Sequence, residues 1–470
     1  MVGREYERAR LEKSLKTNKS ELISIYGRRR IGKTYLIRQV YQKYTKFEMT
    51  GMYAGTSQQQ LEIFHDALSR VSSRFAKVDV PVNWHDAFEL LKTYINGLRG
   101  KSKKVIFIDE FPWIDTHKSS FLSYFGHFWN TYCEKRSDLV VVICGSSASY
   151  MVHNIGANKG SLHSRIEYTL ELQPFSLYET RLYLKSKSIN WPNKSILQLY
   201  IAIGGIPHYL SKIQKGQSVV QNIQRLCFDS NGDLTKEFDE IFESLFEHSQ
   251  LHVKIVRALA VTQRGITRKQ LLESTKVTDN GDFTKAINEL KVSGFVSEYH
   301  AIGKKVKDKL FRLSDEYSNF YIKYIEPNKN QGVDFWKMKA QSQSYLSWAG
   351  FNFETICLKH VEQIKMALGI RAIQSVNSSW STDGAQVDLV IARKDNWINL
   401  CEMKFYDKEY RMDVKERKRI ENKVAKFRLD TKTKDAISVT MISTYGVIEN
   451  ENYLEVADDN LIMDILFEKG

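Results

Sequence analysis

The stretch LISIYGRRRIGKT, residues 22–34, carries the densest chemistry in the chain. An apolar run from Leu22 to Tyr26 enters Gly27, and Gly32, Lys33 and Thr34 follow at the GxxxxGK[ST] spacing. Each position meets a requirement of polyphosphate binding. The glycines let the backbone wrap around phosphates with its N–H groups pointing inward. Arg28, Arg29, Arg30 and Ile31 fill the loop, so Gly27 through Thr34 form one candidate ATP-binding set. Lys33 would reach the β- and γ-phosphates, and the Thr34 hydroxyl would ligate Mg²⁺. The residues that follow, YLIRQVYQKY, predict a helix whose positive N-terminus faces the phosphates.

A second acidic stretch is KKVIFIDEFPWID, residues 103–115. Val105 to Ile108 predict a buried strand that ends in Asp109 and Glu110. Two acids closing an apolar strand are expensive unless they face a cavity or a cation. Asp109 would hold the Mg²⁺ shell, and Glu110 would polarise the attacking water. Leu139 to Cys144 predict a further strand, with Ser146 just past its end. Ligands gather at the carboxyl ends of parallel strands, so Ser146 would sense the γ-phosphate, or else be a plain turn serine. Arg165, in SLHSRIEYTLELQPFS, would stabilise transition-state charge, or be a surface arginine.

A third constellation lies near the C-terminus. Asp388 sits in the apolar run AQVDLVIAR, and Glu402 and Lys404 are two apart in NWINLCEMKF, on one face of a strand. Two carboxylates and a cation suit metal-assisted phosphodiester hydrolysis, with Asp388 and Glu402 as ligands of Mg²⁺ or Mn²⁺. Glu354 would join them from a preceding helix whose apolar stripe is Phe353, Ile356, Cys357, His360, Val361, Ile364 and Leu368. On that stripe, His360 reads as a core residue. The plainer alternative for the acids is structural ion pairing.

These residues need several scaffolds. The chain has 470 residues, 42% of them hydrophobic, enough for three or four domains with sizeable cores. Its net charge of +14 favours an anionic partner. The five cysteines form no CxxC or close Cys/His pair, which suggests neither a zinc site nor a disulfide framework and fits a cytoplasmic protein. The N-terminus lacks an apolar signal core, and no run of about 18 apolar residues predicts a membrane span. Residues 176–247 are helical by period. Residues 250–325 read as three helices and a hairpin, the order of a winged helix. Its third helix buries Phe283, Ile287 and Leu290 and leaves Lys285, Asn288 and Lys291 off that stripe. With Lys304, Lys305, Lys307 and Lys309 at the wing, the module would contact DNA, or serve as an internal packing module. Residues 371–376, 385–393 and 396–405 predict three strands, and 436–444 a fourth. The basic segment 408–434 predicts a helix with Val414, Val424 and Phe427 inward.

VGRE at the start, YGRRRIGKT, FIDEFPWI, ICGSS, HSRIEYTLELQPFS and GGIPHYL together resemble the archaeal-type ATPases, a branch of the signal-transduction P-loop ATPases related to the AAA+ class. The resemblance implies that the loop of Gly3 and Arg4 lies near adenine and that Pro207 sits close to the base in a helical lid. It equates Arg165 with the family's arginine, acting in cis or across a subunit interface. The E…D…ExK order resembles the PD-(D/E)xK nuclease-like superfamily, with Gln386 and Val387 where its proline would stand.

The expected fold is therefore a multidomain α/β chain. A P-loop parallel sheet spans 1–175, a helical lid 176–247, a winged helix 248–328, and a restriction-endonuclease-like α/β domain 329–470. The expected function is an ATPase whose C-terminal domain is a Mg²⁺-dependent nuclease acting on DNA under nucleotide control, with catalytic residues Glu110, Glu354, Asp388, Glu402 and Lys404. The alternative is a nucleotide-switched regulator that holds DNA or a protein partner without cutting. ATP and ADP, DNA and self-association are the expected partners, with no membrane.

Overall fold

A computed structural model describes the chain except residues 1, 157–161, 163, 247, 263–264, 300–301, 303–308 and 330–333. The chain separates into two compact units. One contains residues 1–173 and 241–247, and the other contains 174–240 and 248–470. The segments read from sequence as lid, winged helix and C-terminal domain thus lie almost wholly within one unit. Among the described residues, no helix is long and apolar enough to cross a membrane. The wing lysines 304, 305 and 307 lie outside the described residues.

The first unit is built on a parallel sheet of β1 (Glu21–Tyr26), β2 (Thr45–Thr50), β3 (Lys104–Asp109), β4 (Leu139–Gly145) and β5 (Ile166–Glu171). Their order is β2-β3-β4-β1-β5. β3 and β4 are buried along their whole length, which is why KVIFID and LVVVICG read as continuous apolar runs rather than alternations. At the edge, IEYTLE of β5 alternates between covered and exposed residues. The helices Ser57–Val71 and Trp84–Gly97 start where Thr56 and Asn83 accept backbone N–H groups with their side chains. They close an aromatic core that includes Phe64, Trp84, Phe88, Phe111, Phe121 and Phe128. Each such ring contributes roughly 1.5–3 kcal/mol by leaving water. The connection from β4 to β5 passes over β1, so the loop after β1 opens at a topological switch point.

The second unit begins with the helices Leu177–Ser186, Asn193–Ile203, Pro207–Ser211 and Val219–Cys227. The helices Ser249–Val261, Arg268–Thr275 and Gly281–Val292 follow. They accompany a small antiparallel sheet of β6 (Ile266–Thr267), β7 (Val296–Tyr299) and β8 (Leu310–Leu313), in the order β6-β8-β7. Phe283, Ile287 and Leu290 are buried, as the helical period predicts. Lys291 and Lys309 are not free basic residues: both pair with Glu298 of β7.

The C-terminal sheet comprises β9 (Ser375–Thr382), β10 (Ala385–Arg393), β11 (Trp397–Lys404), β13 (Ala436–Ser443) and β15 (Asp459–Ile462). The short β12 (Tyr410–Arg411) pairs with β14 (Val447–Ile448) beside it. The large sheet is mixed: β9, β10 and β11 are antiparallel, whereas β11, β13 and β15 are parallel. The first expected strand is displaced. RAIQSV contributes only its last two residues, and the strand continues through NSSWST. The Asp383–Gly384 turn, with Gly384 at φ 69°, sets the hairpin register by joining Thr382 to Ala385. In the helix Val414–Thr431, Phe427 is buried as expected, but Val414 is 50% exposed and Ile420 is buried instead.

The expected helix through His360 is broken in two, Gln343–Lys359 and Val361–Ala367. The imidazole causes the break. Its Nδ1–H donates to the Ile356 carbonyl at 2.8 Å, the acceptor an unbroken helix would offer to the His360 N–H. That N–H turns to Cys357 O instead. The other ring nitrogen, Nε2, accepts the Leu177 N–H at 3.2 Å. Both nitrogens are committed, so protonation would set one N–H against another. Burial is the main cause that lowers the His360 pKa to about 4. The folded pKa lies below the ordinary 6.5, so its stabilising effect is full above pH 6.5 and fades as pH falls toward 4. The loss amounts to about 3 kcal/mol. Unfolding midpoints of wild type and His360→Gln between pH 7 and pH 4.5 should converge as pH falls; parallel curves would remove this assignment.

Candidate active sites

β1 delivers the chain into the phosphate loop. Gly27 has φ 149°, and a Cβ there would stand 2.4 Å from Leu172 O, so the position admits only glycine. Gly32 follows in the left-handed region at φ 88° and opens the helix Lys33–Tyr41. The Lys33 ammonium is 5% exposed and donates to the carbonyls of Gly27, at 2.8 Å, and Arg28, at 3.1 Å. Arg4 ties the N-terminal loop to this region through Ile31 O, at 3.3 Å, and Gln173 O.

β3 ends beside the loop. The Thr34 hydroxyl donates to Asp109 Oδ2 at 2.7 Å. A hydroxyl and a carboxylate in contact are hard oxygen donors of the kind that Mg²⁺ takes together with nucleotide phosphates. Glu110 has φ 47°, a strained setting for a residue with a side chain, worth of order 1–3 kcal/mol. Its Oε2 accepts both the Ser146 hydroxyl, at 2.7 Å, and the Ser146 N–H, at 3.0 Å. Ser146 is therefore engaged with Glu110. A Cβ on Gly145 would lie 2.7 Å from Pro112, so the β4 loop and the turn after Glu110 are packed as one piece.

Arg165 is not brought to this site. It precedes β5, whose Ile166 pairs with Leu22 at the start of β1, so it sits at the end of the strands opposite the phosphate loop. There it pairs with Glu134 at 2.6 Å, and both side chains are about 40% exposed. Pro207 belongs to the other unit, where it opens the helix Pro207–Ser211. The turn before it is pressed so tightly against Phe175 that a Cβ on Gly205 would fall 1.9 Å from Phe175 O.

Glu110 stands next to the Thr34–Asp109 contact without joining it, so the role expected of it is separable from nucleotide binding. Glu110→Gln should bind ATP within about twofold of wild type while turnover falls ~100-fold, as loss of a positioned proton acceptor does. A fluorescent nucleotide titration and phosphate release measure the two quantities, and parallel losses would contradict that separation.

The second candidate site lies on β10 and β11. Leu389 pairs with Cys401, and one residue further Asp388 and Glu402 come opposite each other on the face that also bears Gln386 and Lys404. Glu402 accepts Lys404 at 3.0 Å, Arg419 at 2.6 Å and Lys423 at 2.6 Å. Burial opposes its charge, but these cations prevail and bring its pKa down to about 2. Glu416 shares Lys404, at 2.6 Å, and Arg419, at 2.7 Å. Burial opposes the Lys404 charge as well, yet Glu402 and Glu416 hold its pKa above the usual lysine range. Asp388 Oδ1 accepts Gln386 Nε2 at 2.8 Å and Arg312 Nη2 at 3.2 Å. Burial first, and then the Asp388 charge, push the Glu354 carboxyl well above its ordinary value.

Asp388, Glu402, Lys404 and Glu354 line one cleft of about 1040 Å³. Thr267, Gln270 and Tyr299 line its other side. The two facing carboxylates suit a hard divalent ion in donor type. They are shared with basic side chains, and among the described residues no three His, Cys, Asp or Glu side chains gather to hold a metal. Sequence reading missed Arg312, Gln386, Glu416, Arg419 and Lys423. Three of these carry a signal: Glu416, Arg419 and Lys423 follow one another at i, i+3 and i+7 along one helix face.

Residues 1–213 match a family model described as an ATPase domain predominantly from Archaea. An uncharacterized protein of Methanocaldococcus jannaschii, MJECL04, is 27% identical over 405 residues, 84% of each chain. Among solved structures, the Walker-type ATPase PABY2304 of Pyrococcus abyssi aligns at TM-score 0.49 and 16% identity, covering 69% of this chain and 96% of that one. The ORC2 protein of Aeropyrum pernix, in ADPNP and ADP complexes, aligns at TM-score 0.42 and 16% identity, covering 73% and 96%.

Proposed function

We propose that this protein, whose residues 1–213 match a predominantly archaeal ATPase domain, binds and hydrolyses Mg·ATP there and controls a nuclease in its C-terminal domain. One observation carries the ATPase half: Thr34 and Asp109 in contact beside a loop held by Lys33, with Glu110 next in the chain. Lys33 and the loop N–H groups bind phosphate, Thr34 and Asp109 hold Mg²⁺, and Glu110 orients water.

The nuclease half rests on the convergence of Asp388, Glu402, Lys404 and Glu354 on one polar cleft. A metal ion there would supply Lewis-acid chemistry. Lys404, held as an ammonium by Glu402 and Glu416, would bind a phosphate oxygen, and Glu354 would complete the acidic lining beside Asp388. We read the three helices and the β6-β8-β7 sheet as a winged helix, whose Thr267 and Gln270 form the other wall of a DNA-binding cleft. The test is cutting of plasmid and linear DNA with Mg²⁺ or Mn²⁺, with and without ATP. Wild type is compared with Lys33→Ala and Asp388→Ala.

A specific observation also favours a second reading, a nucleotide-switched regulator: both carboxylate oxygens of Glu402 are already bound by basic side chains. Under that reading the cleft holds nucleic acid or a protein and cuts nothing. Absence of metal-dependent cutting in every nucleotide condition, with ATP binding intact, would select it.

A further inference from the structure

We propose that Arg312 of β8 is a positioning residue of the C-terminal acidic centre, holding Asp388 where a divalent cation would bind, so that metal enters only as β8 withdraws. This inference rests on the reading of Asp388 as a metal ligand.

Arg312 stands in LFRL, flanked by apolar residues, and is 4% exposed. Its guanidinium lies 5.4 Å above the centre of the Tyr299 ring and donates through Nη2 to Asp388 at 3.2 Å. Nε and Nη1 are buried and find no hydrogen-bond partner among the described residues. A buried cation with unmet donors is costly, and it persists only where an opposite charge compensates. Asp388 supplies that charge from a different sheet. The turn after β7 also meets the C-terminal sheet, where the Ile302 N–H donates to Ser379 O of β9 at 2.8 Å.

Three consequences follow. Arg312 and a divalent ion compete for one carboxylate oxygen, since two cations in contact with it would repel each other at short range. The residue that loses Asp388 is carried on the helix-and-hairpin module, so metal binding and the docking of that module are linked. By reciprocity, whatever draws β8 away from the C-terminal sheet raises metal affinity by the factor with which metal loosens the docking.

The experiment is a Mn²⁺ titration of the full chain without nucleotide, followed by calorimetry. Arg312→Gln removes the charge and should bind Mn²⁺ roughly tenfold more tightly than wild type, a difference of about 1.4 kcal/mol. Arg312→Lys keeps a cation and should stay within about threefold of wild type. Arg312→Gln combined with Asp388→Asn should lose the gain. Unchanged or weaker binding by Arg312→Gln overturns the proposal, as does an equal gain in Arg312→Lys, which would trace the effect to loosened packing. Hydrogen exchange on wild type gives a readout that needs no variant. Saturating Mn²⁺ should speed exchange at residues 310–313, and unchanged or slower exchange there also overturns it. DNA cutting measured in parallel separates the two readings. Tighter Mn²⁺ binding in Arg312→Gln with no cutting by any variant sinks the nuclease alone. Cutting by wild type with unaltered Mn²⁺ affinity in Arg312→Gln sinks the Arg312 proposal alone.

Discussion

Asp388→Ala should abolish metal-dependent DNA cutting, by ~10³-fold or more, while ATP turnover in the other unit continues. Asp388 is the acid that β10 sets across from Glu402, and it borders the shared cleft. Its loss removes a hard oxygen ligand and lets the Arg312 charge fall directly on Glu354 and Glu402. Breaking a buried pair by removing one partner is itself destabilising by about 3–5 kcal/mol. For that reason Asp388→Asn is the necessary companion, because its amide oxygen still accepts Arg312 while offering a metal no charge. Both variants should lose cutting, and Asp388→Asn should melt closer to wild type. If Asp388→Asn cuts DNA within about tenfold of wild type, the carboxylate is not a metal ligand and the nuclease reading fails.

Lys33→Ala should lower ATP turnover by roughly 10²–10³-fold, the range seen when a preorganised donor to developing charge is removed. The Lys33 ammonium is held inside the loop by Gly27 O and Arg28 O, so it is buried at the place where the proposed reading puts the phosphates. The variant loses those loop bonds as well, at about 1 kcal/mol each, and should be slightly less stable without nucleotide. Phosphate release checks the turnover, and turnover within about tenfold of wild type would remove Lys33 from the mechanism. Under the proposed nucleotide control, the same variant should keep a metal-dependent cutting activity that no longer responds to ATP.

The two sites contrast in the partners they give their acids. At the phosphate loop, Asp109 takes a neutral hydroxyl donor and Glu110 a hydroxyl with a backbone N–H. At the C-terminal centre, Lys404, Arg419 and Lys423 surround Glu402, and Arg312 meets Asp388. A dipole can be turned aside by an arriving metal, whereas a neighbouring cation must be moved. On the proposed reading, a metal would therefore reach the second site only after Arg312 moves away from Asp388.

The phosphate loop and its acidic strand were legible in the sequence because their chemistry is local. Gly27, Gly32, Lys33 and Thr34 act through the backbone they occupy, and a buried strand ending in Asp109–Glu110 has few other uses. The pair Glu402 and Lys404 was equally readable, since the two-residue period of a strand puts both on one face. Partners distant in sequence were not readable. Nothing in LFRL says that Arg312 crosses to Asp388, 76 residues on, because that depends on how two sheets dock. Nor does HSRIEY say that Arg165 stands at the strand ends away from the phosphate loop, because the direction and neighbour of β5 set it. His360 belonged to the apolar stripe as read, but only the arrival of Leu177 committed its second nitrogen and fixed its tautomer. Spacing along one strand, loop or helix turn fixes which side chains share a face, whereas charge pairing between elements is decided by packing.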